Sequence, residues 1–329
     1  MASTSQWLED AVERLRARRG QLVGRARYGL KPARRDRTGI VTDSAAALPV
    51  EVFAHPFAAG IRQVALPVMV GEQIHVEGDA DLDLELQLAL AAGTPVRTSR
   101  PAPGAFRAAY ADLAQAGCAR ILSVHLSGEL SGTVEAARLA AADAPVPVVV
   151  LDSRTAGLAL GHAVLDAAVE AGFGRPLDQV AAIAQACADQ SSVLFTVPHL
   201  EQLRRGGRIG AVPSLLGALL QVRPVLGLQD GSVHLVDRAR TSPRALERMV
   251  DLARERAAGG PARIAVHEYG DPAGATALAE RLQSASATPV PVVPLPAVLA
   301  AHLGLGTLAV VLSPLEPVPS TSSSPAQAN

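Results

Sequence analysis

Lysine is almost missing from this 329-residue chain, in which Lys31 is the only one among 30 basic residues. The body of the protein therefore has no P-loop lysine, no Schiff-base lysine and no anchor for pyridoxal phosphate. Cysteine is nearly as scarce. Cys118 and Cys187 sit far apart in Ala-rich stretches, which excludes a zinc cluster or a disulfide framework and fits a reducing, cytoplasmic setting. The eight histidines show no metal-ligand spacing. Gly-x-Ser-x-Gly, the strained elbow of a serine nucleophile, is also absent. These patterns imply no cofactor.

Charge of either sign is scarce in net terms: the total is -1, with 49% hydrophobic residues. That is an ordinary globular composition with no argument for nucleic acid. The distribution is less even. Residues 1–38 hold ten Arg/Lys against four acids, a basic extension whose Trp7, Leu8, Ala11, Val12 and Leu15 share one helical face. Residues 1–20 alternate charged and apolar side chains and lack the uncharged core of a secretory signal. The longest uncharged run, Thr288 to Leu312, is long enough for a membrane span. However, Pro289, Pro291, Pro294 and Pro296 crowd its start, and Gly304 and Gly306 follow. Strand, loop and buried strand are expected there instead of a membrane helix.

From Gly39 onward, short apolar strands alternate with Ala/Leu-rich helices. Strands are expected at 39–42, 119–125 and 146–151, and helices at 104–117, 132–142 and 156–172. Such alternation implies right-handed crossovers and a parallel sheet. After about Ala171 the pattern becomes mixed. Helices are expected at 178–188, 215–220, 243–257 and 274–283, with strands at 193–197 and 262–267. Asp230-Gly231 marks a hairpin joining 224–229 to 232–238. The reading is a two-domain α/β protein: a basic extension over 1–38, a parallel-sheet domain over 39–170 and a mixed α/β domain over 171–313. A disordered tail covers 314–329.

The candidate chemistry lies in the loops Thr42-Asp43-Ser44, Thr98-Ser99-Arg100-Pro101, His125 to Thr133, and Asp152-Ser153-Arg154-Thr155. Loops leaving the carboxyl ends of parallel strands meet at one edge, where open α/β sheets bind ligands. Each leads toward a helix N-terminus, whose free N–H groups favour an anion, although any single Ser or Thr there also serves as a helix cap. Thr98, Ser99, Ser127, Ser131 and Thr133 thus form a candidate anion edge without catalytic equipment. His125 is expected to turn into the sheet by strand alternation. Gly206-Gly207-Arg208 reads as a tight turn, not a phosphate cradle.

The segments Val41-Thr42-Asp43-Ser44-Ala45-Ala46, Thr98-Ser99-Arg100-Pro101, Leu130-Ser131-Gly132-Thr133, Leu151-Asp152-Ser153, Leu203 to Ile209 and His302 to Gly306 recur in an order that resembles the DegV family. The resemblance spans about residues 39–313. It implies a bacterial, two-domain fatty-acid-binding protein that is not itself an enzyme. In that family a long-chain fatty acid is buried and its carboxyl presented to a separate ATP-dependent fatty acid kinase, similar to dihydroxyacetone kinases, for phospholipid synthesis. By position, Ser99 matches the carboxylate-binding serine and His302 the histidine of the family's His-Thr-Gly-Pro-Gly segment. Arg208 matches the arginine near the kinase-docking surface. Five departures thin the polar site: Pro67 stands where a hydroxyl is common, Ala102 and Gly128 replace serines, and Leu303 and Leu305 replace Thr and Pro. Two other readings therefore remain open: a binding or regulatory protein for another small anion or lipid, uncoupled from any kinase, or a phosphoryl- or acyl-transfer enzyme.

Overall fold

The computed structural model describes residues 32–209 and 222–319. Strands β1 (Thr38–Asp43), β2 (Ile61–Val64), β6 (Arg120–His125) and β7 (Val148–Asp152) form a parallel sheet in the order β2-β1-β6-β7. Ile40 stands opposite both Ile61 and Leu122. A six-stranded sheet runs β10-β9-β8-β13-β11-β12. Its members are β8 (Ser192–Thr196), β9 (Arg223–Gln229), β10 (Ser232–Ala239), β11 (Ala262–Tyr269), β12 (Val292–Pro294) and β13 (Thr307–Pro314). All its pairings are antiparallel except β11 with β12. A third, antiparallel sheet is small, ordered β4-β3-β5 from Gln73–His75, Val68–Val70 and Val96–Thr98.

Period-2 alternation sorts the parallel strands into two faces. Val41 and Ile121 pack against α3 (Pro103–Gln115) and α4 (Thr133–Ala141), through Phe106, Tyr110, Leu113 and Ala137. Ile40 and Leu122 point the other way, toward α5 (Leu158–Gly172) and α6 (Leu177–Gln190). Those two helices also pack on Ala265 and Val311 of the mixed sheet. The far face of that sheet is covered by α8 (Ser242–Ala257) and α9 (Pro272–Leu282). The remaining helices are α1 (Val50–Ala54), α2 (Leu82–Ala92), α7 (Glu201–Gly206) and α10 (Ala297–Leu303).

The expected strands and helices inside the described residues are found, most within about two residues at each end. The hairpin closes at Asp230 and Gly231 with φ of 51° and 83°, the left-handed pair that a two-residue turn requires. The basic helix expected around Trp7 and the helix at 215–220 lie outside the described residues. Two expectations need correction. The Thr98–Pro101 loop does not leave the parallel sheet, because β5 pairs antiparallel with β3 through Val70 and Val96. Apolar periodicity indicates a strand but does not choose its partner, and these three-residue strands carry little pattern. The uncharged run also contains a helix, α10, where a loop was expected. Its prolines end at Pro296, the N-cap, leaving seven proline-free residues to coil.

α5 is buried on nearly every side, yet it carries a polar stripe at i, i+4 and i+8. His162 Nδ1 is 2.9 Å from Ser313 Oγ, Asp166 pairs with Arg263 of β11, and Glu170 lies 3.5 Å from Arg175. Removing one member of a buried ion pair strands the other charge. Asp166→Ala is therefore expected to lower unfolding free energy by about 3 kcal/mol. The double variant Asp166→Leu/Arg263→Met should recover much of that loss in denaturant titrations. Equal losses for both variants would show that the pair is not the source.

Candidate ligand site

The loops at the carboxyl end of the parallel sheet meet one face of the mixed sheet, and a cavity lies between them. Its cavity volume is about 90 Å³, and it opens to solvent through a wider mouth. Leu126 and Leu130 line it from the β6–α4 loop, Phe195 from β8, Ala309 and Val311 from β13, and Val298 and Leu299 from α10. Its polar side chains are few: Thr98, Ser131, Arg208, His267 and His302.

Four of these five gather at one end. Thr98 Oγ1 and His302 Nε2 are 2.7 Å apart, joining the end of β5 to the last turn of α10. Arg208 donates from Nε to the Leu130 carbonyl at 3.1 Å, next to Ser131, and from Nη1 to the Gly206 carbonyl. Ser131 Oγ is 2.8 Å from Thr133 Oγ1. Burial, reinforced by the Arg208 charge, holds the His302 pKa down at about 4. The ring is thus neutral at pH 7, and Arg208 is the one formal charge among the described lining residues. A cation flanked by neutral hydroxyl and imidazole donors suits one anionic head group. The apolar wall suits a hydrocarbon.

Gly206 makes this cluster possible. A Cβ there would fall 2.3 Å from His302 Nδ1. Gly207, with φ of 69°, then ends α7 in the left-handed cap that glycine favours. The Gly-Gly-Arg segment is thus a helix end that admits the imidazole and turns Arg208 inward. Sequence reading identified the turn but not the reason for its first glycine.

His267 plays a different part. Its Nε2 accepts a hydrogen bond from the Leu158 N–H at 3.0 Å, and its Nδ1 donates to the Val293 carbonyl at 2.9 Å. A Cβ on Gly157 would lie 3.0 Å from the same ring. Burial pushes this pKa down to about 4 as well. His267 thus tethers the start of α5 to the mixed sheet as a neutral ring, and no local sequence pattern signals it.

The other expected hydroxyls are placed differently. Ser99 is exposed at the turn beside Thr98, where its N–H donates to the Pro67 carbonyl at 3.1 Å. Ser127 is buried; its Oγ donates to the Gly231 carbonyl at 2.7 Å and accepts from the Glu129 N–H, fastening the hairpin tip to the β6–α4 loop. Thr133 is fully buried behind Ser131. Ser44 Oγ accepts from the Leu66 N–H at 3.0 Å. Much of the hydroxyl-rich edge therefore holds loops together, and Thr98 and Ser131 are its cavity-lining members.

His125 turns into the sheet as alternation requires and is fully buried. Asp43 Oδ2 accepts from its Nδ1 at 2.9 Å and from the Leu126 N–H at 3.0 Å. The ring's Nε2 is 2.7 Å from Ser123 Oγ, which is 2.9 Å from the Tyr110 hydroxyl. Burial raises the Tyr110 pKa to about 12. This Asp-His-Ser chain resembles a hydrolase triad only in its order, since every member is sealed in the core and none lines the cavity. Its effect is to aim Leu126. Burial also raises the Cys118 and Cys187 thiols above their ordinary range. Among the described residues, no group of His, Cys, Asp and Glu is placed to hold a metal ion, and no helix is long and apolar enough to cross a membrane.

The departures also find physical settings. A Cβ on Gly128 would lie 2.8 Å from Asp152 Oδ2, whose carboxylate already accepts the Gly128 and Arg154 N–H groups. Ala102 is the N-cap of α3 and offers no side-chain cap. Leu303 lines the cavity as apolar wall, and Leu305 packs against the core.

The comparisons point the same way. The family model described as "Uncharacterised protein, DegV family" matches residues 37–315. A DegV domain-containing protein of Streptomyces coelicolor is 41% identical over 276 residues, covering 83% of this chain and 97% of its own. A solved DegV family protein of Thermus thermophilus, described by its fatty acid binding, is 34% identical with a TM-score of 0.79. That match covers 85% of this chain and 100% of the other. DegV of Bacillus subtilis, described as a fatty acid binding protein, is 27% identical with a TM-score of 0.74, covering 84% and 99%.

Two predictions follow from the geometry. Gly206→Ala is expected to displace His302 and break its bond to Thr98, at a cost of about 1–3 kcal/mol from overpacking. A changed His302 side-chain ¹⁵N shift, with native far-UV circular dichroism, would register it; an unchanged shift would refute the close approach. The histidines also set an acid limit. An unfolded histidine titrates near 6.5, whereas folded His267 titrates near 4. As pH falls through that window the unfolded chain takes up protons that the folded chain refuses. Stability is therefore full above pH 6.5 and falls toward pH 4, by up to about 3 kcal/mol for His267. Urea midpoints measured between pH 7.5 and 4 should decline, and less steeply in His302→Gln.

Proposed function

This chain belongs to the DegV family, and from that membership we propose that it binds a long-chain fatty acid in the cavity between its two larger sheets. The observation that carries the reading is the asymmetry of that cavity. Its walls are largely apolar, while Thr98, Ser131, Arg208 and His302 gather at one end. Burying the acyl chain gains about 0.8 kcal/mol per methylene, and the polar end receives the carboxylate. Arg208 supplies the counter-charge, and the neutral His302–Thr98 pair supplies hydrogen bonds without a second buried cation. Ser99 stands at the exposed turn beside them, suited to a head group that reaches the surface. In this reading Ser127 and Thr133 support the site by holding its loops.

We further propose that the carboxylate is presented to a separate kinase that forms the acyl phosphate, and that the chain itself is not catalytic. The sealed Asp43–His125–Ser123 chain and the lack of lysine after Lys31 support that division of labour. The reading as a carrier for another small anion is favoured by Leu303, which stands where the family has Thr and leaves one donor fewer for a carboxylate.

Native mass spectrometry and lipid extraction of the purified protein test the first proposal. A stoichiometric fatty acid is expected, with at least a tenfold loss of retained lipid in Arg208→Met/His302→Leu. A cavity that stays empty when fatty acid is supplied would overturn the fatty-acid reading. With a fatty acid kinase and ATP added, phosphate transfer to bound lipid is expected to fall in Ser99→Ala. No transfer to the unmodified protein would leave binding intact and remove the kinase step.

A further inference from the structure

Helix α2 is apolar on two sides. Leu82, Leu86 and Leu90 point into the core, while Leu84 and Leu88, one turn apart, are 64% and 61% exposed, with exposed Ala91 extending the same stripe. A helix that is hydrophobic all round is normally covered on all sides, and in the described residues nothing covers this one. The charge in this stretch of sequence is of one sign. Between Arg62 and Arg97 there is no Arg or Lys, and six acids occur, among them Asp79, Asp81 and Asp83, all exposed.

The chain carries a segment of complementary chemistry. Residues 1–31 hold seven Arg/Lys against three acids, with Trp7, Leu8, Ala11, Val12 and Leu15 spaced as an apolar stripe. The described chain begins at Pro32, packed beside Gly174 near the end of α5. The twelve residues from Gly20 to Lys31 span up to about 40 Å when extended. That is about twice the radius of gyration of about 20 Å expected for a protein of this length, so faces well removed from Pro32 lie within the linker's span.

We infer that the basic N-terminal segment docks on the outer face of α2, its apolar stripe covering Leu84 and Leu88 and its arginines facing the acidic rim. The inner face of α2 packs against α10, which carries His302. The docked segment therefore braces the helix that forms one wall of the cavity, a role that does not depend on which ligand the cavity holds.

Trp7 is the only tryptophan in the chain, so its fluorescence reads the docking in the full-length protein. The expected result is blue-shifted emission, shielded from a soluble quencher, at all protein concentrations and weakened by salt. Leu84→Asp/Leu88→Asp should expose Trp7 while far-UV circular dichroism stays unchanged. Arg14→Glu/Arg18→Glu, at positions outside the described residues, should expose it as well. Water-exposed Trp7 in the unmodified protein, or shielding that survives both variants, would overturn the inference. Shielding lost on dilution would assign the face to a second copy and overturn the intramolecular docking.

Discussion

The structure depends on the burial of α5 between two sheets. All of Leu158–Gly172 except Val169 and Gly172 is buried, so neither sheet keeps a core of its own on that side. Backbone contact is close: a Cβ on Gly161 would meet the Ala46 carbonyl at 2.4 Å. The Gly157 N–H donates to the Ala45 carbonyl at 2.8 Å. The helix is thereby pressed onto the end of β1, and His267 ties its first turn to the mixed sheet. Once α5 is placed, the carboxyl edge of the parallel sheet faces the mixed sheet. The cavity is the space left between them.

That arrangement explains why so many hydroxyls at the edge are structural. A cavity between two layers needs walls that hold still, and loop backbones at such an edge carry polar groups that must be paired. Ser44, Ser127 and Asp152 satisfy neighbouring N–H groups. Asp43 satisfies three donors at once, the N–H groups of Ala45 and Leu126 and the His125 ring. The polar groups that face the cavity are Ser131 of this edge and those brought by other elements, Thr98 from the small sheet and His302 and Arg208 from the second half of the chain.

The cluster around His302 combines charge and neutrality. A protonated imidazole beside Arg208 would place two cations in one apolar pocket, and both burial and the Arg208 charge oppose that. The neutral ring stays close to Thr98, and the single guanidinium keeps its place through the Leu130 and Gly206 carbonyls. Leu303, next to His302, adds to the apolar wall beside this cluster.

The amino-acid sequence by itself determined the alternation of strands and helices, the Asp230-Gly231 turn and the inward course of His125. Each follows from local periodicity or from the backbone freedom of a residue pair. It also placed the single lysine, Lys31, ahead of the first strand. The pairing of β5 with β3, the short α10 and the merging of both sheets around α5 came only with the tertiary structure. Those features rest on contacts between residues far apart in sequence, as Thr98 and His302 are. The hydroxyl loops show the boundary well. A Ser or Thr after a strand looks the same in sequence whether it caps a loop or faces a ligand, and only the packing of the second half of the chain onto the first decides between the two.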